Sequence, residues 1–276
     1  MLTLLPVSAT VSGILYTMYS GFHWQHLLHF AVMFLLCGLG VTAGYHRYYA
    51  HRTYQAHPVV EFFLLLFGTA AFQNSVLVWA SDHRYHHRFV DRDEDPYNIK
   101  KGLWWAHMGW MLWEYAPGTR PYSNVNDLRK RPMVMFQARH YLPLMLFSCF
   151  GLPFLVGLAY GMPWGGLIWG GLIRLTFTHH CVYLINSAAH WFGTQRYSNE
   201  TTARDCWWLA FFSHGEGYHN YHHAFPSDYR NGIAWFHWDP TKWVIFALSR
   251  VGLTWSLRRT PPATIAKKIA QTPLPG

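Results

Sequence analysis

No Lys, Arg, Asp or Glu occurs before Arg47, and a second stretch free of them runs from His140 to Ile173. About 20 apolar residues span a bilayer, so both stretches are long enough for membrane insertion. Turn-prone residues interrupt each near its middle, Ser20-Gly21 in the first and Gly161-Met162-Pro163 in the second. Each therefore reads as a helical hairpin. The expected fold is all-α and integral to a membrane, a single domain over 1–276 with four transmembrane helices at about 5–22, 25–45, 140–161 and 164–187. Segments 46–139 and 188–260 form a cytosolic helical cap, followed by a Pro-rich peripheral tail at 261–276. Only 13% of residues are charged against 51% hydrophobic, about half the charge of a soluble domain.

The apolar N-terminus has no basic region ahead of it and is read as mature chain, not as a signal peptide. Cys37, Cys149, Cys181 and Cys206 show no CxxC spacing; they predict neither disulfides nor a zinc ribbon. The net charge of +9 comes from residues between and after the hairpins, among them Arg84, Arg88, Lys100, Lys101, Arg129, Lys130, Arg131, Arg258, Arg259, Lys267 and Lys268. Positive segments beside spans face the cytosol. Their setting points to lipid head groups or an acidic partner protein, not to nucleic acid.

Of nineteen histidines, eight fall into three tight groups. His46 and His51 form H-x4-H; His83, His86 and His87 form H-x2-HH; His219, His222 and His223 repeat H-x2-HH. On a helix, residues three and four apart share a face, so each H-x2-HH can aim three imidazoles one way. One such box arises by chance about once in ten chains of this histidine content, and two about once in a hundred. Imidazole suits zinc, copper, iron and nickel, and so many nitrogens exceed the needs of one ion. Two metals with histidine-only coordination are expected, because carboxylate-bridged di-iron bundles need a Glu-x-x-His from each of two helices and only one, Glu216-x-x-His219, lies at the boxes.

Ligands of one centre must lie on one side of the membrane, and the two hairpins permit this. Each returns the chain to the cytosolic side, just before His46 and just before His190. Residues Val59 to Ala80 are apolar enough to cross, yet a crossing would separate the first two boxes. This segment is expected to lie in the interface or re-enter, as Glu61, Gln73 and Asn74 within it suggest.

From about Val41 to Lys268 the chain resembles the stearoyl-CoA type of delta-9 fatty-acyl desaturase, a membrane histidine-box family. Beyond the boxes, the resemblance rests on Ala71-Phe72-Gln73-Asn74, Trp79-Ala80-Ser81-Asp82-His83, Asp95-Pro96, Asn186-Ser187-Ala188-Ala189-His190 and Gly215-Glu216-Gly217-Tyr218-His219. It implies nine iron ligands: His46, His51, His83, His87 and His222 on one iron, and His86, His190, His219 and His223 on the other, with Asn186 reached through a water. It places Gln73, Asn74, Trp79 and Asp82 near the acyl chain or its polar head, and Phe34 and Gly38 near the closed end of a substrate tunnel. Gly38 is expected to leave room there. The implied reaction is cis desaturation of a saturated acyl chain with O2 and two external electrons; zinc is a plausible substitute for iron in overexpressed protein.

No nucleotide loop, iron-sulfur cysteine set or fused cytochrome b5 segment is found, so a separate ferredoxin-like or cytochrome b5-like donor is expected. Where the animal enzymes carry coenzyme A-binding basic residues, this chain has Ser81 and Glu114-Tyr115. The acyl carrier is thus left open between coenzyme A, carrier protein and membrane lipid. Alternative readings are a hydroxylase with the same di-iron site, or a non-catalytic metal- or haem-binding membrane protein. A bacterial cytoplasmic membrane is the expected location. Asp82, Asp91, Glu216 and Asp228 are candidates to orient ligand imidazoles, and His179, His180 and His214 to touch them; His23, His26 and His29 read as core.

Overall fold

A computed structural model describes residues 4–113 and 122–272. The described residues are mostly helical. Two short strands, β1 (Gln55–Ala56) and β2 (Thr254–Trp255), pair antiparallel with Gln55 opposite Trp255 and Ala56 opposite Thr254. This clip ties the segment after the first histidine box to the C-terminal part of the chain.

The N-terminal hairpin consists of α1 (Leu4–Ser20) and α2 (Trp24–Leu39), joined through Gly21 at φ +81°. In α1 the hydroxyls of Ser8, Ser12 and Ser20 donate to carbonyls three or four residues back, at 3.0, 2.6 and 2.8 Å. The apolar helix thereby leaves none of these polar groups facing hydrocarbon. The second hairpin pairs a helix over Tyr141–Ala159 with a helical stretch over 163–187. Its arms cross backbone to backbone: a Cβ on Gly166 would fall 2.5 Å from the Pro153 carbonyl and 2.6 Å from the Gly157 Cα. Small residues at such a crossing allow the close packing that holds helices together where no hydrophobic drive separates them from lipid.

Among the described residues, two helices are long and apolar enough to cross a membrane, Trp24–Ala50 and Tyr141–Ala159, each with a mean hydropathy of 2.0. The other two expected spans fall short by this measure. α1 has 17 residues, about 26 Å, and the 163–187 arm carries Arg174, His179 and His180. Leu15, Met18, Leu28, Leu142, Leu155 and Trp164 stand exposed along these helices. An apolar belt of this extent marks a membrane-associated surface.

Arg174 is fully buried and meets carbonyls, donating to Gly170 (3.0 Å), Ala70 (2.7 Å) and Cys149 (3.3 Å). It thereby stitches the second hairpin to the end of α3 (Pro58–Thr69). The apolar run from Val59 to Ala80 is not one helix. α3 stops at Thr69, Phe72 and Asn74 take left-handed φ of +53° and +72°, and α4 (Val76–Phe89) starts in a new direction. Glu61 in α3 is buried against Arg131 (2.9 Å) and Tyr49 (3.0 Å).

Candidate metal centre

α2 does not end at Leu39 but continues to Ala50 with the wider turn of a π-helix, the His51 amide donating to the His46 carbonyl at 3.0 Å. In an α-helix, residues five apart point about 140° away from each other. The i→i+5 winding brings them into line. The rings of His46 and His51 come 4.8 Å apart, centroid to centroid.

α4 carries His83, His86 and His87, the helix His219–Ala224 carries His219, His222 and His223, and a 3-10 turn over Ala188–His190 presents His190. These nine histidines divide into two groups whose closest nitrogens lie within 4.8 Å of one another: His46, His51, His83, His87 and His222, and His86, His190, His219 and His223. The division follows from helical geometry. Within each H-x2-HH box, the first and last histidines are four apart and share a face, while the middle histidine points about 100° away from the last. His83 and His87 join one group and His86 the other; His219 and His223 join that other group and His222 the first. The two boxes are thus used in opposite senses, each helix contributing to both groups.

Inside the groups the Nε2 atoms face one another. His46 to His222 is 3.0 Å, His222 to His87 is 2.9 Å and His51 to His83 is 2.8 Å. In the second group, His190 to His219 is 3.1 Å, His219 to His223 is 3.0 Å and His86 to His223 is 3.3 Å. Two nitrogens held at right angles about 2.1 Å from one ion lie about 3.0 Å apart, so these are the separations of a coordination shell. For three of the rings, in both groups, the partner of Nδ1 fixes the tautomer. His46 Nδ1 faces Glu216 Oε2 at 2.8 Å and His86 Nδ1 faces Asp95 Oδ1 at 2.9 Å. The Thr202 hydroxyl donates to Asp91 at 2.6 Å and so accepts from His190 Nδ1 at 2.8 Å. Each of these acceptors assigns the proton of a neutral ring to Nδ1 and leaves the Nε2 lone pair pointing inward. Converging lone pairs call for a cation, and the donor set fits two metal ions.

Burial pushes His51, His83, His87, His219, His222 and His223 well below the usual imidazole range, and His190 down to about 3, with neighbouring imidazoles adding to the effect. Neutral imidazoles are the ligating form. Burial alone would raise Glu216, but His46 and Arg47 pull it down to about 2, keeping the carboxylate charged. Behind it, Arg47 is 1% exposed and donates to Glu216 (2.9 Å), Asp239 (3.1 Å) and the Tyr229 carbonyl (2.8 Å).

A cavity of about 60 Å³ is lined by His46, His83, His86 and His219 together with Phe34, Gly38, Phe212 and His214. A second, of about 320 Å³, is lined by Gln73, Asn74 and Asp82 together with Trp110 and Met111. Both are lined by Trp79, His83, Val182 and Asn186, so the two meet beside the histidines. The Trp79 ring stacks 4.9 Å from His83 and its N–H donates to Gln73 at 3.1 Å. All six expected substrate residues thus line one of the two cavities.

Several expectations change. Gly38 does not leave room, because the His214 imidazole already occupies the space beside it. Asp228 pairs with Arg230 at 2.9 Å and accepts from Tyr221 at 2.8 Å, and orients no ligand ring. His179 bonds the Ala71 carbonyl (2.9 Å) and His180 bonds His107 (3.1 Å). Ser81 is fully buried on Asn124 at 2.8 Å; Glu114-Tyr115 lies outside the described residues. Asp95 and Thr202 orient ligand rings although no histidine-box spacing points to them; Asp95 stands in the Asp95-Pro96 motif.

A model of the family described as fatty acid desaturase matches residues 22–256. Among relatives, a probable acyl-CoA desaturase of Schizosaccharomyces pombe is 46% identical over 89% of this chain and 51% of its own length. Acyl-CoA desaturase 1 of Saccharomyces cerevisiae is 40% identical over 90% of this chain and 49% of its own. Stearoyl-CoA desaturase of Bos taurus is 36% identical over 87% and 68%. The chain spans about half the length of the two yeast relatives.

Proposed function

The chain belongs to the fatty acid desaturase family, and from that premise we propose that it places a cis double bond, at the delta-9 position, in a saturated fatty-acyl chain. The observation that carries this reading is a pair of adjoining, largely apolar cavities that share Trp79, His83, Val182 and Asn186, the first of them also lined by members of both histidine groups. His46, His51, His83, His87 and His222 would hold one iron, and His86, His190, His219 and His223 the other, with Asn186 reaching its ion through a water. When bound, the irons supply through O2 and two external electrons the oxidising power that side-chain acids and bases lack. The chain's own residues bind and align. Glu216, Asp95 and Thr202 fix ring orientation, the cavity walls hold the acyl chain extended and exclude water, and Gln73, Asn74 and Asp82 meet its polar end.

Relatives named acyl-CoA desaturases favour coenzyme A as the carrier over carrier protein or lipid. A ferredoxin- or cytochrome b5-type protein would donate the electrons. We read the four long helical segments as spans with the metal centre on the cytosolic side. The relatives come from yeasts and cattle and give no support to a bacterial membrane in particular.

Expression in a host that cannot make unsaturated fatty acids, followed by lipid profiling, tests the reading. An olefin is expected; an alcohol would identify a hydroxylase, and unchanged lipid would argue against catalysis. A finer check is Asp95→Ala, which removes the acceptor for His86 Nδ1. Metal affinity at the four-histidine group should fall about 10–100-fold. Chelator competition reads this out, with the five-histidine group as the internal control.

A further inference from the structure

Resting on the reading of the cavity as an acyl site, we infer that His214 is its end wall and sets the longest chain accepted. The nearest atoms to a Cβ placed on Gly38 are all of one imidazole: Cε1 at 2.1 Å, Nε2 at 2.4 Å and Nδ1 at 2.5 Å of His214. The ring therefore fills the notch that the glycine opens in α2. Its other side meets Phe34, centroid to centroid 4.8 Å, and the residue is only 6% exposed. Phe34, Gly38, Phe212 and His214 all line the first cavity, and none of them lines the second, where Gln73, Asn74 and Asp82 lie.

The backbone holds the ring in place. His214 has φ +56°, a conformation that a non-glycine residue keeps only where its surroundings enforce it. Three contacts enforce it: the His214 carbonyl accepts from Thr241 Oγ1 at 2.9 Å, Thr241 Oγ1 lies 2.6 Å from Thr42 Oγ1 on the continuation of α2, and Ser213 Oγ donates to the Leu209 carbonyl at 2.7 Å. Two residues on, Glu216 meets His46, and five residues on, His219 begins the helix that bears three of the histidines. One short segment thus carries both the end wall and part of the metal centre. The distance from wall to reacting carbons is fixed by covalent connection, as a chain-length gauge requires.

The test compares the parent with His214→Gly, His214→Asn, Gly38→Ala and the double variant Gly38→Ala/His214→Gly. Both replacements at 214 tolerate a positive φ, so the loop keeps its course. Each protein is offered saturated acyl-CoAs from myristoyl to arachidoyl, with turnover and ligand-induced thermal shift measured in parallel. Differences of a methylene or two in an apolar pocket are worth about 10-fold or more in discrimination. His214→Gly should raise the arachidoyl to palmitoyl ratio about 10-fold, with His214→Asn between it and the parent. Gly38→Ala, which drives the ring into the cavity, should lower that ratio, and the double variant should return towards the parent. An unchanged profile in His214→Gly would overturn the assignment. So would a Gly38→Ala effect that persists undiminished without the imidazole. A parent that binds the series but forms no olefin would sink the desaturase reading instead, and the chain-length dependence of the thermal shift would still decide the role of His214.

Discussion

Replacing His222 with alanine is expected to cut desaturation about 1000-fold or more and to lower bound metal from about two ions per chain to about one, given the several kcal/mol that a catalytic ion contributes. His222 Nε2 sits 3.0 Å from that of His46 and 2.9 Å from that of His87, so it joins ligands from α2 and α4. The four-histidine group keeps its members, because His219 and His223 on the same short helix belong to it and His222 does not. His179→Ala serves as the control: this buried imidazole bonds a carbonyl and belongs to neither group. Metal content by mass spectrometry and olefin yield, measured on the same preparations, check the pair. Equal losses in both variants would mean that burial of a histidine, not ligation, governs activity.

Arg47→Met is expected to destabilise the protein by about 3–5 kcal/mol, the usual result of removing one partner from a buried ionic network. Without the guanidinium, Glu216 and Asp239, 3% and 0% exposed, are left as buried carboxylates facing each other's field. The Tyr229 carbonyl also loses its donor. For a chain of this size that corresponds to a drop of roughly 10 °C in Tm, readable by thermal unfolding in detergent. Arg47→Lys should not restore stability, since a single ammonium cannot reproduce a planar fork reaching two carboxylates and a carbonyl. Loss of Tm without any change in metal content would separate this fastening role from the orientation of His46 through Glu216.

What the sequence revealed about this site depended on whether the geometry was local. His83, His86 and His87 are legible because three- and four-residue spacing on a helix is fixed by backbone geometry alone. The pairing of His46 with His51 is not, because five-residue spacing faces one way only where the helix widens, and nothing in the residue pattern announces that winding. His190 has no box around it and came to notice only through the family motif that ends on it. Asp95 and Thr202 reach their rings through loops whose course depends on tertiary packing. Gly38 illustrates the same limit from the other direction: a missing side chain reads as space, but what occupies the space is set by a loop 176 positions away in the chain. The apolar helices were legible as hairpins from their turns. Buried polar residues such as Arg174 then hide in otherwise apolar helices, since their partners are backbone carbonyls that leave no trace in a sequence.

The central claim is that nine histidines hold two metal ions beside a substrate cavity. Metal stoichiometry on protein purified after growth in iron, combined with X-ray absorption at the metal edge, addresses it most directly. About two ions per chain with nitrogen-dominated coordination is the predicted result. One ion or none per folded chain, or a sulfur-containing shell drawing on the four buried cysteines, would contradict it.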